Sequence, residues 1–425
     1  MKEISCRLLV VGAGPGGYVC AIRAGQLGVD TVIVEMAKPG GTCLNVGCIP
    51  SKALIHAADQ FAQARAMAAG RGHIGISVAE PKIDLARTMA WKDGIVGRLN
   101  SGVAGLLKKA GVKIVLGRAA FRDGKTVEVE TETGRQLIRA ENVVIATGSE
   151  PAELPALPFG GNVISSTEAL ALAQVPENLA VVGGGYIGLE LGIAFAKMGA
   201  RVTVIEAMER TLPQYDADLT RPVARRLGDL GVEVITSARA KGIAAKQGAL
   251  VVERADGREE RIAADKVLVT VGRRPVTEGW GREELVLDME GPFIRIDGQC
   301  RTSMRGIYAI GDVTGNPMLA HRAMAQGEMV AGIVADGVSG HRRTWDKRCI
   351  PAVCFTDPEI VTAGLSPEEA RAAGQEVKIG QFPFSAGGRA MTLDGETGFV
   401  RVVARADNHL VLGVQAVGTG VSELA

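Results

Sequence analysis

The sequence predicts an α/β protein built around two Rossmann-like dinucleotide-binding domains, and three observations carry the prediction. The first is an internal repeat: LLVVGAGPGGYVCAIRAGQLGVDTVIVE at residues 8–35 and LAVVGGGYIGLELGIAFAKMGARVTVIE at residues 179–206. Each reads apolar strand, Gly-x-Gly-x-x-Gly, amphipathic helix, second apolar strand and glutamate, with 23 positions from the first glycine to the glutamate. The second is length: 425 residues exceed one ordinary core and imply roughly two to four domains. The third is a pair of buried-type strands ending in glycine turns, NVVIATGSEP (142–151) and DKVLVTVGRRP (265–275). Each closes one dinucleotide domain and hands the chain on through a proline.

Within each fingerprint the glycines have separate duties. Gly12 permits the tight strand-to-helix turn, Gly14 lets a pyrophosphate approach the backbone, and Gly17 brings helix and strand close; Gly183, Gly185 and Gly188 repeat these roles. The following helix offers free N–H groups and the positive end of its dipole to the phosphates. Glu35 and Glu206 stand where a carboxylate accepts hydrogen bonds from a ribose diol. At the second site Glu206 favours a free 2′-hydroxyl and repels a 2′-phosphate, so NAD is expected over NADP, with Arg210 the nearby cation that works against this. One glycine fingerprint is a common turn; two in strand–turn–helix context with the acid spaced alike are specific. Further on, TSMRGIYAIGDV (302–313) ends a strand with Asp312, placed to reach a second ribose or ribityl chain, whereas an isolated aspartate there would cap a turn.

Composition narrows the classes. With 47% hydrophobic and 22% charged residues the chain is a soluble globular protein. A net charge of +1 gives no basic face for nucleic acid. The N-terminus shows no signal cleavage pattern, and no apolar run reaches about 18 residues, so the expectation is a cytoplasmic protein without membrane spans. Seven scattered cysteines in a reducing compartment argue against a structural disulfide framework. Two of them, Cys43 and Cys48, lie in GGTCLNVGCIPSK (40–52) with four residues between them. A staple, a metal clamp and a redox device are all conceivable, although zinc would want a second Cys or His pair at ligand spacing. Cys349 and Cys354 have the same spacing, but RCIPAVCFTDPEI reads as a strand and turn without glycine, where core packing is expected.

Taken together, VVGAGPGG, GGTCLNVGCIPSKAL, ATGS, VVGGGYIGLELG, VGRRP, YAIGD, MLAHRAMAQGE and FTDPEI resemble, in order and over nearly the whole chain, the flavin-dependent pyridine nucleotide–disulfide oxidoreductases. The likeness is strongest to the bacterial dihydrolipoamide-oxidising branch that serves 2-oxoacid dehydrogenase complexes. The resemblance implies FAD at the first fingerprint, contacted by Gly12, Gly14, Gly17, Glu35, Gly41, Thr42, Lys52 and Gly117, by Thr147, Gly148 and Ser149, and by Asp312, Met318, Leu319, Ala320 and His321. It implies NAD at the second, contacted by Gly183, Gly184, Gly185, Tyr186, Ile187, Gly188, Glu190, Glu206 and Gly272. It also implies a redox-active disulfide between Cys43, the interchange thiol, and Cys48, the charge-transfer thiol, with Lys52 near the flavin and paired to Glu190.

Implied too are an FAD domain in residues 1–150 completed by 276–345, an NAD domain at 151–275, and a C-terminal α+β interface domain at 346–425. The partners that go with it are a second copy of the chain and the lipoyl domain of a 2-oxoacid dehydrogenase acyltransferase. The residues agree with this reading. The cysteines precede the helical stretch SKALIHAADQFAQARAMA at a loop-to-helix transition. Thiols there, near a lysine, have lowered pKa values, and the short gap makes a small ring that forms fast and is easily attacked. Glu190 lies in the apolar stretch GLELGIAFA, where an unpaired carboxylate would be costly.

Against the family pattern, no histidine is followed five positions later by glutamate: His56, His73, His321, His341 and His409 all lack one. The sequence ends at GTGVSELA where the family continues, so the interface domain is expected to be incomplete and the base that deprotonates dihydrolipoamide absent. His56 and His409 read as packing or surface residues. Within the same fold the alternatives are an NADPH-dependent disulfide reductase, disfavoured by Glu206, and a mercuric reductase, which lacks support from a terminal cysteine pair. From another class, a flavin-binding subunit with dye-reducing activity only is opposed by the intact Cys43, Cys48, Lys52 and Glu190.

Overall fold

The computed structural model describes residues 2–71, 74–244, 248–337 and 344–425; His73 and His341 lie outside them. The chain divides into two compact units, one formed by Met1–Pro50, Trp91–Glu150 and Arg273–Asp346, the other by Ser51–Ala90, Pro151–Gly272 and Lys347–Ala425.

The first unit is organised by the first repeat. Its seven-stranded sheet runs Lys113–Leu116, Thr31–Glu35, Lys2–Val11, Gly134–Ile145, Thr126–Thr131 and Arg118–Phe121, with Ile307–Ala309 also paired to Gly134–Ile145. The fingerprint strands are parallel, Leu8 lying opposite Thr31 on one side and Asn142 on the other. Alternation sends neighbouring residues to opposite faces: Leu8, Val10 and Ile33 enter one core, while Leu9, Val11 and Val32 enter another. Strands covered on both faces need continuous apolar runs, which is why LLVV and VIV are unbroken. Helix Pro15–Gln26 packs on helix Ala320–Asp336 at a glycine crossing, where a Cβ on Gly327 would stand 2.4 Å from the Gly16 carbonyl oxygen.

The second unit repeats the plan. A parallel five-stranded sheet runs Glu233–Ile235, Arg201–Ile205, Asn178–Val182, Lys266–Val269 and Val163–Ile164. Here Leu179, Val181 and Val204 face one core and Ala180, Val182 and Ile205 the other. The unit also holds a three-stranded antiparallel sheet, Arg239–Ile243, Leu250–Glu253 and Glu259–Ile262. Its C-terminal antiparallel sheet has the order Ala352–Cys354, Glu359–Gly364, Val411–Gly418, Phe399–Arg405, Val377–Pro383. Leu54 and Ala58 of helix Cys48–Ala68 share one core with Leu189 and Ile193 of helix Tyr186–Lys197 and with Cys354 and Ile360. Among the described residues no helix is long and apolar enough to cross a membrane.

Candidate active site

In the first unit the fingerprint turn is closed by backbone. Gly12 has φ +100°, and a Cβ there would stand 2.3 Å from the Ala146 carbonyl oxygen; a Cβ on Gly17 would stand 1.9 Å from that of Gly12. Gly14 is different: its nearest neighbour would be the Gly41 Cα at 3.9 Å. Gly14 is also the N-cap of helix Pro15–Gln26, with no side chain capping the first N–H groups. Glu35 accepts from the Ala13 N–H at 2.8 Å and the Ala37 N–H at 3.0 Å, and its carbonyl accepts from the Gly117 N–H at 2.8 Å. An uncapped helix start behind glycines, with a carboxylate fixed at the neighbouring strand end, fits a dinucleotide diphosphate and ribose.

The other first-unit residues gather nearby. Asp312 lies in the helical turn Gly311–Thr314 rather than in the strand, which is Ile307–Ala309. The polar demands of that turn shorten the strand: buried Arg322 donates to the carbonyls of Gly311 and Gly315, and Gln326 accepts from the Gly311 N–H. Burial pulls the Arg322 pKa down against the opposing charge of Asp312. The Ser149 hydroxyl donates to Asp312 at 2.5 Å, and the Thr147 hydroxyl donates to the Val276 carbonyl at 2.7 Å. Arg273, which the sequence did not single out, donates to the Ser149 hydroxyl at 2.8 Å, its carbonyl at 2.7 Å and the Thr42 hydroxyl at 3.4 Å. Met318 and Leu319 precede, and Ala320 and His321 begin, helix Ala320–Asp336, whose N-cap Leu319 also offers no side-chain cap.

Cys43 and Cys48 form a disulfide, with Cα atoms 4.5 Å apart. Only Cys48 begins a long helix, Cys48–Ala68; Cys43 sits inside a short one, Gly41–Val46, where a loop was expected. The left-handed Gly40 (φ +115°) starts that extra turn. Burial pushes the Cys6 and Cys20 thiols up to about 12. Of the second cysteine pair, Cys354 is buried as expected, but Cys349 is exposed, because the strand begins only at Ala352. His56, His321 and His409 are exposed, and His409 meets Lys378 at 3.2 Å. Among the described residues no cluster of three His, Cys, Asp or Glu could hold a metal ion.

In the second unit the fingerprint geometry recurs. A Cβ on Gly183 would stand 2.6 Å from the Thr270 carbonyl oxygen, one on Gly188 would stand 2.2 Å from that of Gly183, and one on Gly185 would meet nothing within 4 Å. Gly185 caps helix Tyr186–Lys197 without a side-chain hydrogen bond, and Tyr186 and Ile187 open its first turn. Glu206 accepts from the Gly184 N–H at 2.6 Å and the Met208 N–H at 2.8 Å. Arg210 is turned to the carbonyls of Leu212 and Pro213. Gly272 keeps φ +135° in open space. This site too fits a dinucleotide.

Lys52 and Glu190 form an ion pair of 2.7 Å, with the Glu190 side chain only 4% exposed. The second carboxylate oxygen accepts from the Phe355 N–H at 2.9 Å, and the ammonium stands 4.3 Å from the centre of the Phe355 ring. Around them burial, then the charge of Glu190, pushes the Cys354 thiol up to about 12. Burial also raises the Tyr215 hydroxyl. Lys52 is the cation paired with Glu190.

Two dinucleotide-binding folds, one carrying a disulfide at a helix N-terminus, define a dinucleotide-dependent disulfide oxidoreductase. Comparison with known proteins agrees. Residues 6–327 match the pyridine nucleotide-disulphide oxidoreductase family, and residues 350–425 match the dimerisation domain of the same family. The chain belongs to the pyridine nucleotide-disulphide oxidoreductases. It is 60% identical to a dihydrolipoyl dehydrogenase of Pseudomonas aeruginosa, over 98% of this chain and 89% of the relative. It is 43% identical to the dihydrolipoyl dehydrogenase of Geobacillus stearothermophilus, over 99% and 88%. The solved structure of LpdA from Mycobacterium tuberculosis superposes with a TM-score of 0.88 at 26% identity, covering 99% of this chain and 91% of that one.

Proposed function

We propose that the chain oxidises protein-bound dihydrolipoamide to lipoamide with NAD as acceptor, as an FAD-containing homodimer. The observation that carries this reading is the Cys43–Cys48 disulfide at the start of helix Cys48–Ala68. The dihydrolipoyl dehydrogenases to which the chain is similar support the choice of substrate. Exposed Phe382 and Val414, which lie on one face of the C-terminal sheet, support self-association. The substrate-bearing partner is the lipoyl domain of a 2-oxoacid dehydrogenase acyltransferase.

In this reading the first unit holds FAD through Gly12, Gly14, Gly17, Glu35 and Asp312, and the second holds NAD through Gly183, Gly185, Gly188 and Glu206. A substrate thiolate attacks the Cys43 sulfur; the Cys43–Cys48 bond breaks, a mixed disulfide forms on Cys43, and Cys48 leaves as thiolate. The second substrate sulfur then attacks the one bound to Cys43, closing lipoamide and releasing the Cys43 thiol. Two electrons and two protons have left the substrate: the electrons reside on the cysteine pair, one proton went to solvent when the attacking thiolate formed, and the other is on the Cys43 thiol. The helix N-terminus stabilises the Cys48 thiolate, and Lys52, one turn further on, adds a positive charge. Bound FAD supplies the two-electron relay from this dithiol to NAD.

The test is turnover of dihydrolipoamide with NAD by the purified holoenzyme and its Cys43→Ser variant. The variant should lose dihydrolipoamide-dependent NADH formation while still passing electrons from NADH to an artificial dye. Wild-type turnover in Cys43→Ser would sink the reading.

A further inference from the structure

Lys52–Glu190 is not the only ion pair between its two helices. Asp59 on helix Cys48–Ala68 accepts from Lys197 on helix Tyr186–Lys197 at 2.5 Å. Both pairs span 138 residues of sequence, so 52 to 59 and 190 to 197 are equal steps and the helices run in the same direction. Seven residues are two turns, about 10 Å of rise. The charges are swapped: the first helix offers cation then anion, the second anion then cation. Sliding one helix two turns along the other would set a cation of one helix against the cation of the other, or anion against anion. Apolar packing of Leu54 and Ala58 in one core with Leu189 and Ile193 supplies adhesion without such discrimination; the charges add register.

The same short segment completes both pairs. The Phe355 N–H donates to Glu190, and two residues on, Asp357 accepts from Lys197 at 2.7 Å and from Arg226 at 2.9 Å. The Lys197 side chain is 7% exposed, so its charge is tolerable only while these carboxylates hold it.

We propose that Asp59, Lys197 and Asp357 form a register clamp that positions the Lys52–Glu190 pair, and through it the helix turn beginning at Cys48, for thiol chemistry. Lys197 is a positioning residue, acting through a shared helix and a shared segment. The inference rests on the functional reading above.

Lys197→Met keeps the length and packing of the side chain and removes the charge. In the holoenzyme it should lower kcat for dihydrolipoamide roughly tenfold with KM unchanged, the size expected of a small misplacement remote from the reacting atoms. It should also weaken the long-wavelength absorption that a Cys48 thiolate gives against bound FAD in the reduced protein, and speed amide exchange in the first turns of helix Cys48–Ala68. Lys197→Arg should restore all three. In a Glu190→Gln background Lys197→Met should add no further loss of absorption. Wild-type kcat and absorption in Lys197→Met, or an undiminished loss in the Glu190→Gln background, overturns the clamp. If Lys197→Met does not fold, Asp59→Asn, which removes the more exposed partner, carries the same expectations. The wild-type control separates the two ideas: no dihydrolipoamide turnover there removes the functional reading, while absorption and exchange still decide the clamp.

Discussion

At the scale of residues the chemistry divides between two sulfurs that the fold treats differently. Cys48 is the first residue of a 21-residue helix, and Cys43 lies within a six-residue one, so the dipole favours charge on Cys48. Cys48→Ser should therefore abolish the long-wavelength absorption of the anaerobically reduced holoenzyme while FAD stays bound, and Cys43→Ser should retain it. The opposite pattern would reverse the two roles. Glu206 is the second case. Its carboxylate is anchored by the Gly184 and Met208 N–H groups, which aims it rather than leaving it mobile, while Arg210 is engaged with carbonyls. Losing ribose hydrogen bonds costs about 1–3 kcal/mol, so Glu206→Ala should raise the KM for NADH roughly tenfold or more. Efficient wild-type turnover of NADPH in dye reduction would contradict the part given to Glu206.

At the scale of elements, the two strand–turn–helix repeats separate glycines whose Cβ would strike backbone from glycines that face open space. Gly188→Ala would drive a methyl group to 2.2 Å from the Gly183 carbonyl oxygen, and such overpacking typically costs about 1–3 kcal/mol. Gly185 has extended φ −76°, ψ 179° and open space where a Cβ would go, so Gly185→Ala should leave the melting temperature unchanged. It should nonetheless raise the KM for NADH, because the methyl group occupies the approach of the diphosphate. Thermal melts beside NADH titrations check both, and an unchanged KM in Gly185→Ala would remove the diphosphate from that turn. This division was legible in the sequence because glycine spacing encodes backbone contacts. The clamp lysine was not: Lys197 reads as a solvated lysine at a helix end, and its partners are fixed only by folding. Arg273 and the Phe355 N–H escaped for the same reason, one an arginine in a turn and the other a backbone donor without a sequence signature. Cys349 misled because the whole stretch RCIPAVC was read as one strand, whereas the strand begins only at Ala352.

At the scale of the whole molecule, the parallel sheets and their cores followed from unbroken apolar strands, but the assembly of each unit from three separate stretches did not. Periodicity reports which face of a strand is buried and not which distant strand lies beside it; that choice is made by packing. The segment after Ala352–Cys354 illustrates this, since Asp357 meets Lys197 and Arg226 across 160 and 131 residues of chain. Burial alone would raise the Asp357 carboxyl above its ordinary 3.8, but Lys197 and then Arg226 outweigh it and hold the group below that value. A carboxyl whose folded pKa lies below its unfolded one contributes stability that is fully present above the unfolded pKa and lost as pH falls through the folded one. Breaking a buried pair costs about 3–5 kcal/mol, and Asp357 is partly exposed and leaves Lys197 with Asp59, so about 1–3 kcal/mol is expected for Asp357→Asn near pH 7. The gap between wild type and Asp357→Asn should then close as both are titrated well below 3.8, where the wild-type carboxyl is neutral too. Urea unfolding midpoints of the two proteins, followed from neutral into acid pH, measure it. A gap that stayed constant into acid would assign the effect of Asp357 to its shape and hydrogen bonds rather than to its charge.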